Sequence, residues 1–219
     1  MRDDEWSGIN IVGNENNVDK TNLNSDLKTN NRKVPRLAIG LLHYPILDRE
    51  KRIVATNVTN FDIHDIARAA TVYGVEKYYI IHPHQEQLMF VDRILDHWKV
   101  GQGSKFNPYR KKALNNVFTS PSLDTALADW GVNCIKIGTH ARPVSGTQFW
   151  TCPQLKKAMF EEDQAVFLLF GTGFGMTESY MQGLDGILES IQGAPPLDFR
   201  HLSVRSAVSI YLDRLMGPW

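Results

Sequence analysis

Arg68, in the segment NFDIHDIARAATVYGV (60–75), is the first residue whose type and setting could do chemistry. A cation held on a rigid helix can stabilise an anion that develops beside it. It can equally be a surface ion-pair partner, and Asp65, three residues earlier, is placed to be that partner. Asp62 lies six residues before Arg68, too far along the axis for an ideal pair but within reach of a long side chain. Two further segments put polar groups at strand ends. GTHAR (138–142) follows the apolar run CIKI, so Thr139, His140 and Arg142 belong to the loop after a strand. GTGFG (171–175) follows AVFLLF, and its glycines permit positive φ and close backbone approach. A third strand, ILESI (187–191), runs through a Pro-Pro loop to a helix that starts at Leu202-Ser203-Val204. Strand-to-turn junctions of this kind can surround one small ligand with backbone groups, because open α/β sheets bind ligands beyond the carboxyl ends of their strands.

Other features carry less. GTGFG lacks the GK[ST] ending of a phosphate loop, and no dinucleotide fingerprint follows the first strand, which disfavours a nicotinamide-dependent oxidoreductase. HPH (82–84) has too few companions for a metal site and reads as a solvated loop, and His64-Asp65 likewise lacks a third ligand; no metal is expected. KFNPYRKK (105–112), with Arg93 and Trp98 nearby, interleaves cations and aromatics, a pattern that suits a phosphate backbone and a stacked base. Cys134 and Cys152 make neither a disulfide framework nor a ligand cluster.

The elements that must position these residues alternate. Strands are expected at 36–46, 77–83, 133–143, 165–171 and 187–191. Helices are expected at 60–75, 85–101, 123–131, 152–163 and 202–216, with a short strand at VFTSPS and a helical turn at ESYMQGLDG. Asp62 is a candidate cap for the first helix, and Gly74 its stop. Runs such as AVFLLF are apolar at consecutive positions, which implies burial on both faces and so a parallel α/β sheet flanked by helices. Residues 1–33 are rich in Asn, Asp, Lys and Ser without apolar period and read as a disordered tail; the folded domain is expected over 34–219. Hydrophobic residues are 42%, charged residues 22%, and the formal net charge is zero. That balance gives one ordinary domain with no global field for nucleic acid or membrane, so any basic surface is local. No apolar run approaches a membrane span, and no apolar signal core is present at the N-terminus; a cytoplasmic location follows as the expectation.

Taken together, the segments resemble the SPOUT class of S-adenosylmethionine-dependent RNA methyltransferases over roughly 36–216, most closely the ribose 2′-O-methylating members. NFDIHDIARAATVYGV is similar to that family's Asn…(I/L)xxIxRxAxxxGV helix, with the catalytic Arg falling on Arg68 and its supporting Asn on Asp62. IGTHARP and LLFGTGFGMT look like the family's GTSAR loop and FGxExxGLT turn. HLSVRSAVSIYL is similar to NLSxAxxIxxYE. The chain departs from these patterns in three places. Asp62 replaces an amide, the FG turn is one residue shorter and lacks its acid, and His201 stands where the family has Asn.

The resemblance implies a C-terminal trefoil knot, an exception to the rule against threaded chains. It implies S-adenosylmethionine held bent in that knot by Thr139 and His140, by Gly171, Thr172 and Gly173, and by Ile191, Leu202 and Ser203. It implies an RNA substrate, tRNA or rRNA, and a homodimer whose active site is completed across the interface. The final helix, with Val204, Ala207, Val208, Ile210, Tyr211 and Leu215, offers an apolar face for that pairing. Arg68 would then stabilise the ribose oxyanion. Two alternatives stay open: methylation of guanine N1, for which Asp185 or Asp198 would be the natural base, and a SAM- or RNA-binding module without turnover.

Overall fold

Strand β1 (Leu37–Leu42) is buried at every position, as its unbroken apolar run requires. A computed structural model of the chain describes residues 34–218, so the tail expected over 1–33 lies outside the described residues. The remaining elements, in chain order, are β2 (Ile46–Leu47), β3 (Ile53–Val54), α1 (Asn60–Val72), β4 (Lys77–Ile81), α2 (Gln85–Lys99), α3 (Gly103–Phe106), α4 (Pro108–Leu114), β5 (Val117–Ser120) and α5 (Leu123–Trp130). They continue with β6 (Ile135–Thr139), β7 (Phe149–Trp150), α6 (Cys152–Glu161), β8 (Val166–Gly171), α7 (Glu178–Gln182), β9 (Gly186–Leu188) and α8 (Val204–Met216).

The large sheet has seven strands in the order β5-β4-β1-β8-β6-β9-β7, and every pairing in it is parallel. Alternation along a strand sends Leu37, Ile39 and Leu41 to one face and Ala38 and Leu42 to the other. The first face packs on α1, α2, α6 and α8, through Ile66, Val91, Leu155 and Leu212 among others. The second face packs on α5 and α7, through Ala126, Trp130 and Met181. Each fully buried Leu or Phe of this core contributes about 2 kcal/mol. Among the described residues no helix is long and apolar enough to cross a membrane.

Several expectations shift. The cap of α1 is Thr59, whose hydroxyl accepts from the Asp62 amide; Asp62 sits at the third helical position, where its carboxylate takes the Thr59 hydroxyl proton donor in return. The last strand ends at Leu188, because Glu189 turns out to accept the Cys152 amide. The last helix starts at Val204 with Ser203 as its cap, not at Leu202. The antiparallel β2–β3 hairpin and the two-residue β7 are too short for any periodicity to reveal. The apolar face of α8 does not wait for a second copy: Val208, Tyr211 and Leu215 are buried in the chain's own core against α1 and α6.

Candidate active site

Three strand ends form the base of the site. β6 lies between β8 and β9, with Gly138 beside Leu169 and Ile187, and Thr139 beside Leu188. Neighbouring strands are about 4.8 Å apart, so the loops after β8, β6 and β9 leave within about 10 Å of each other. These are the segments 172–177, 140–148 and 189–203. The structure therefore brings the three predicted loops to one edge of the sheet.

Within that edge the side chains divide by role. Thr139 is buried and donates its hydroxyl to the Leu169 carbonyl, tying β6 to β8. The His140 ring lies against Gly175, where a Cβ would come within 2.9 Å of Nε2; this contact joins the first two loops. Gly175 also has φ of +98°, so both its conformation and its surroundings require glycine. Thr172 donates its amide to Leu42 O, Phe174 donates its amide to Leu47 O, and Leu47 donates its own amide to Gly175 O. Gly173 packs on Ile46 and Leu47, and Gly171 on Met176. The glycines of this turn thus admit the β2–β3 hairpin as well as any ligand. Ile191 packs on the core, Leu202 is 43% exposed, and the Ser203 hydroxyl caps α8.

The same edge carries exposed apolar side chains: Tyr44, Phe61, Phe174, Leu197, Phe199 and Leu202. All belong to loops or helix starts at the carboxyl ends of strands. Backbone groups and apolar side chains suit an adenine ring, so the residues present fit the adenosyl part of S-adenosylmethionine.

Arg68 and Asp62 do not meet. Arg68 is exposed, on the side of α1 opposite the buried Ile63, Ile66 and Ala70. Asp62 is buried and bonds Arg205 Nη1 at 3.0 Å, while Arg205 Nε lies 3.4 Å from Asp65. Six residues on a helix turn the side chain through about 600°, placing Asp62 and Arg68 on different faces. The expected Arg68–Asp65 pair is replaced by Arg205–Asp65. Among the described residues Arg68 makes no ion pair.

One cluster escaped sequence reasoning. His43, directly after β1, is fully buried; its Nδ1 meets Thr56 Oγ1 at 3.0 Å, and its Nε2 has no partner among the described residues. Thr56 Oγ1 also meets Thr172 Oγ1 of the glycine turn, and the Thr56 carbonyl meets His82 Nε2. Burial, then the neighbouring His82, pushes His43 down to about 4, so it is neutral at pH 7. HPH is accordingly no solvated loop at its first residue: His82 is buried and accepts the His84 amide. Its signal was a histidine closing an apolar strand, a position that holds the site's edge.

The two candidate bases are otherwise engaged. Asp185 precedes β9, at the opposite edge of the sheet, and accepts the Lys136 amide. Asp198 holds Arg200 through both oxygens and accepts the Gly193 amide, and the Arg200 guanidinium keeps its carboxyl below the usual range.

Residues 36–217 match the model of a SAM-dependent RNA methyltransferase family. An uncharacterized protein of Aquifex aeolicus is 38% identical over 183 residues, which are 82% of this chain and 87% of that protein. A Nitratidesulfovibrio vulgaris protein named tRNA (guanine-N(1)-)-methyltransferase is 36% identical over 191 residues, 85% of this chain; the chain spans only 43% of that relative's length. The structure of TrmJ from Z. mobilis superposes with a TM-score of 0.52 at 18% identity, covering 85% of this chain and 70% of that one. With the family matched along nearly the whole described region, the chain belongs to the SAM-dependent RNA methyltransferases, and it shares its fold with the Z. mobilis methylase.

Proposed function

We propose that this chain methylates a ribose 2′-hydroxyl of tRNA or rRNA, acting as a homodimer in the cytoplasm. The observation that carries the reading is the junction of three loops at the ends of β8, β6 and β9. S-adenosylmethionine, when bound there, supplies an electrophilic methyl group on sulfonium. The chain's own task is positioning. Thr139, His140, Gly171, Thr172, Gly173, Ile191, Leu202 and Ser203 build the cofactor wall. Arg68 stabilises the oxyanion that develops at O2′ as its proton passes to solvent and the methyl carbon–sulfur bond breaks to leave a neutral thioether; its high pKa makes it a cation rather than a base. Asp62 positions α1 through Arg205 and Thr59.

A ribose acceptor is favoured over guanine N1 because neither Asp185 nor Asp198 offers a free carboxylate at this edge. The homodimer is supported by Arg68, which faces away from its own core, and by the exposed apolar side chains of the carboxyl edge. The knot is supported by the strand order, in which β9 lies between β6 and β7 so that the connection 140–148 has to pass β9. The name of the Nitratidesulfovibrio relative favours guanine N1 as a second reading, although the unmatched part of that protein leaves open which part the name describes.

Nucleoside mass spectrometry of tRNA and rRNA from cells lacking the protein tests both. Loss of one 2′-O-methylated nucleoside is expected. Loss of 1-methylguanosine instead would establish the second reading, and loss of neither would remove both.

A further inference from the structure

Beside the start of α1, an open pocket of about 390 Å³ lies between α1 and α2, lined by Asn60, Phe90, Arg93, Ile94, His97 and Trp98. Its size falls in the range of small-ligand sites. Phe90 is 41% exposed, and Arg93 and His97 are exposed beside it. Arg110, from the basic segment on α4, places its guanidinium 4.3 Å from the centre of the Trp98 ring. His64 meets the same ring edge-on at 5.8 Å.

Two buried polar atoms at this locus, Arg110 Nε and His64 Nδ1, have no partner among the described residues. Arg68, Arg93 and Arg110 form no ion pair among those residues. Burial first, and then the Arg110 and Arg68 cations, lower the His64 pKa. Asn60, His64 and Arg68 recur every four residues and so share one stripe of α1. The pocket is therefore continuous with Arg68.

We infer that this pocket binds one nucleotide of single-stranded RNA, with the base stacked on Phe90 and the exposed edge of Trp98 and the flanking phosphates on Arg93 and Arg110. Aromatic faces accept any base, and guanidinium forks match phosphate oxygens. The Asn60 amide carries both a donor and an acceptor for a base edge. RNA held here presents an adjoining nucleotide to Arg68. The inference rests on the reading of RNA as substrate and names the surface that holds it.

The test is fluorescence anisotropy of a labelled 12-nucleotide oligoadenylate and of unfractionated tRNA, with the full chain and no cofactor. Phe90→Ala combined with Arg93→Ala should weaken binding about tenfold or more. The log–log salt slope should fall by about 0.7 for the lost phosphate contact. The melting temperature and S-adenosylmethionine affinity should stay unchanged. Lys157→Ala, an exposed cation on α6, is the control and should leave affinity near wild type. Unchanged affinity in the double variant, or an equal loss in the control, overturns the inference. Because binding is read without methyl transfer, RNA held at this pocket by a chain that transfers no methyl upholds the inference while sinking the proposed activity.

Discussion

In the proposed reaction, Arg68 is the residue on which methyl transfer turns. Arg68→Ala removes the cation beside the acceptor oxygen and touches neither the core nor the three loops. Labelled methyl transfer to RNA should fall by at least about 100-fold, while S-adenosylmethionine affinity measured by calorimetry stays within about twofold of wild type. A parallel loss of cofactor affinity would mean that Arg68 binds the donor rather than serving the acceptor. Arg205 makes the contrasting case. It lies beside the buried Asp62 carboxylate, and its own side chain is 35% exposed. Arg205→Met leaves that carboxylate with only the Thr59 hydroxyl as partner. Urea unfolding should show a loss of about 2 kcal/mol, below the full cost of breaking a wholly buried pair. His43 adds a pH dependence. Its folded pKa lies near 4, below the ordinary value of 6.5, so the unfolded chain takes up the proton first. Stability from this group is complete above pH 6.5 and is lost as pH falls toward 4, by roughly 3 kcal/mol. The groups facing it are His82, Thr56 and Asp62. His43→Gln should flatten the pH dependence of the urea midpoint across that window, and an unchanged slope would refute the assignment.

At the scale of elements, the glycine turn after β8 joins two neighbours that sequence alone could not put together. Gly175→Ala places a Cβ against His140 at a φ of +98°. It should cost about 2 kcal/mol in stability and, by moving His140 away from the cofactor edge, raise the Kd for S-adenosylmethionine. A variant that melts lower yet binds the donor as before would show that the turn serves packing alone. The consecutive apolar runs at 37–42 and 166–171 made the parallel sheet legible, since only strands covered on both faces read that way. The loops were legible as strand ends with polar residues. Their convergence was not, because strand order is set by crossovers between β1, β8, β6 and β9 that leave no periodic trace. The true partners of Asp62 and Asp65 were equally hidden, for Arg205 lies 143 positions from Asp62 along the chain. Local spacing proposes local pairs, whereas α1 and α8 meet only through tertiary packing.

For the whole molecule, the decisive feature is the direction in which Arg68 faces. It stands on the outer side of α1, away from the core its own helix covers, while the donor loops leave the edge of the sheet. An oxyanion stabiliser and a methyl donor must act on one acceptor atom, and in the proposed homodimer a second copy brings the two together. A two-fold interface does this reciprocally, each copy offering Arg68 to the other's loops. The apolar side chains at the carboxyl edge, Phe61, Phe199 and Leu202 among them, supply a surface for that interface. Mixing two defective chains tests the geometry directly. Arg68→Ala keeps its donor loops, and Gly175→Ala keeps its arginine. After denaturation and joint refolding in equal amounts, half of the dimers are mixed, and each mixed dimer contains one intact composite site. Methyl transfer should recover to about a quarter of the wild-type rate, although each variant refolded alone stays near background. A mixture no more active than its components would place Arg68 and the donor loops of one site within a single chain.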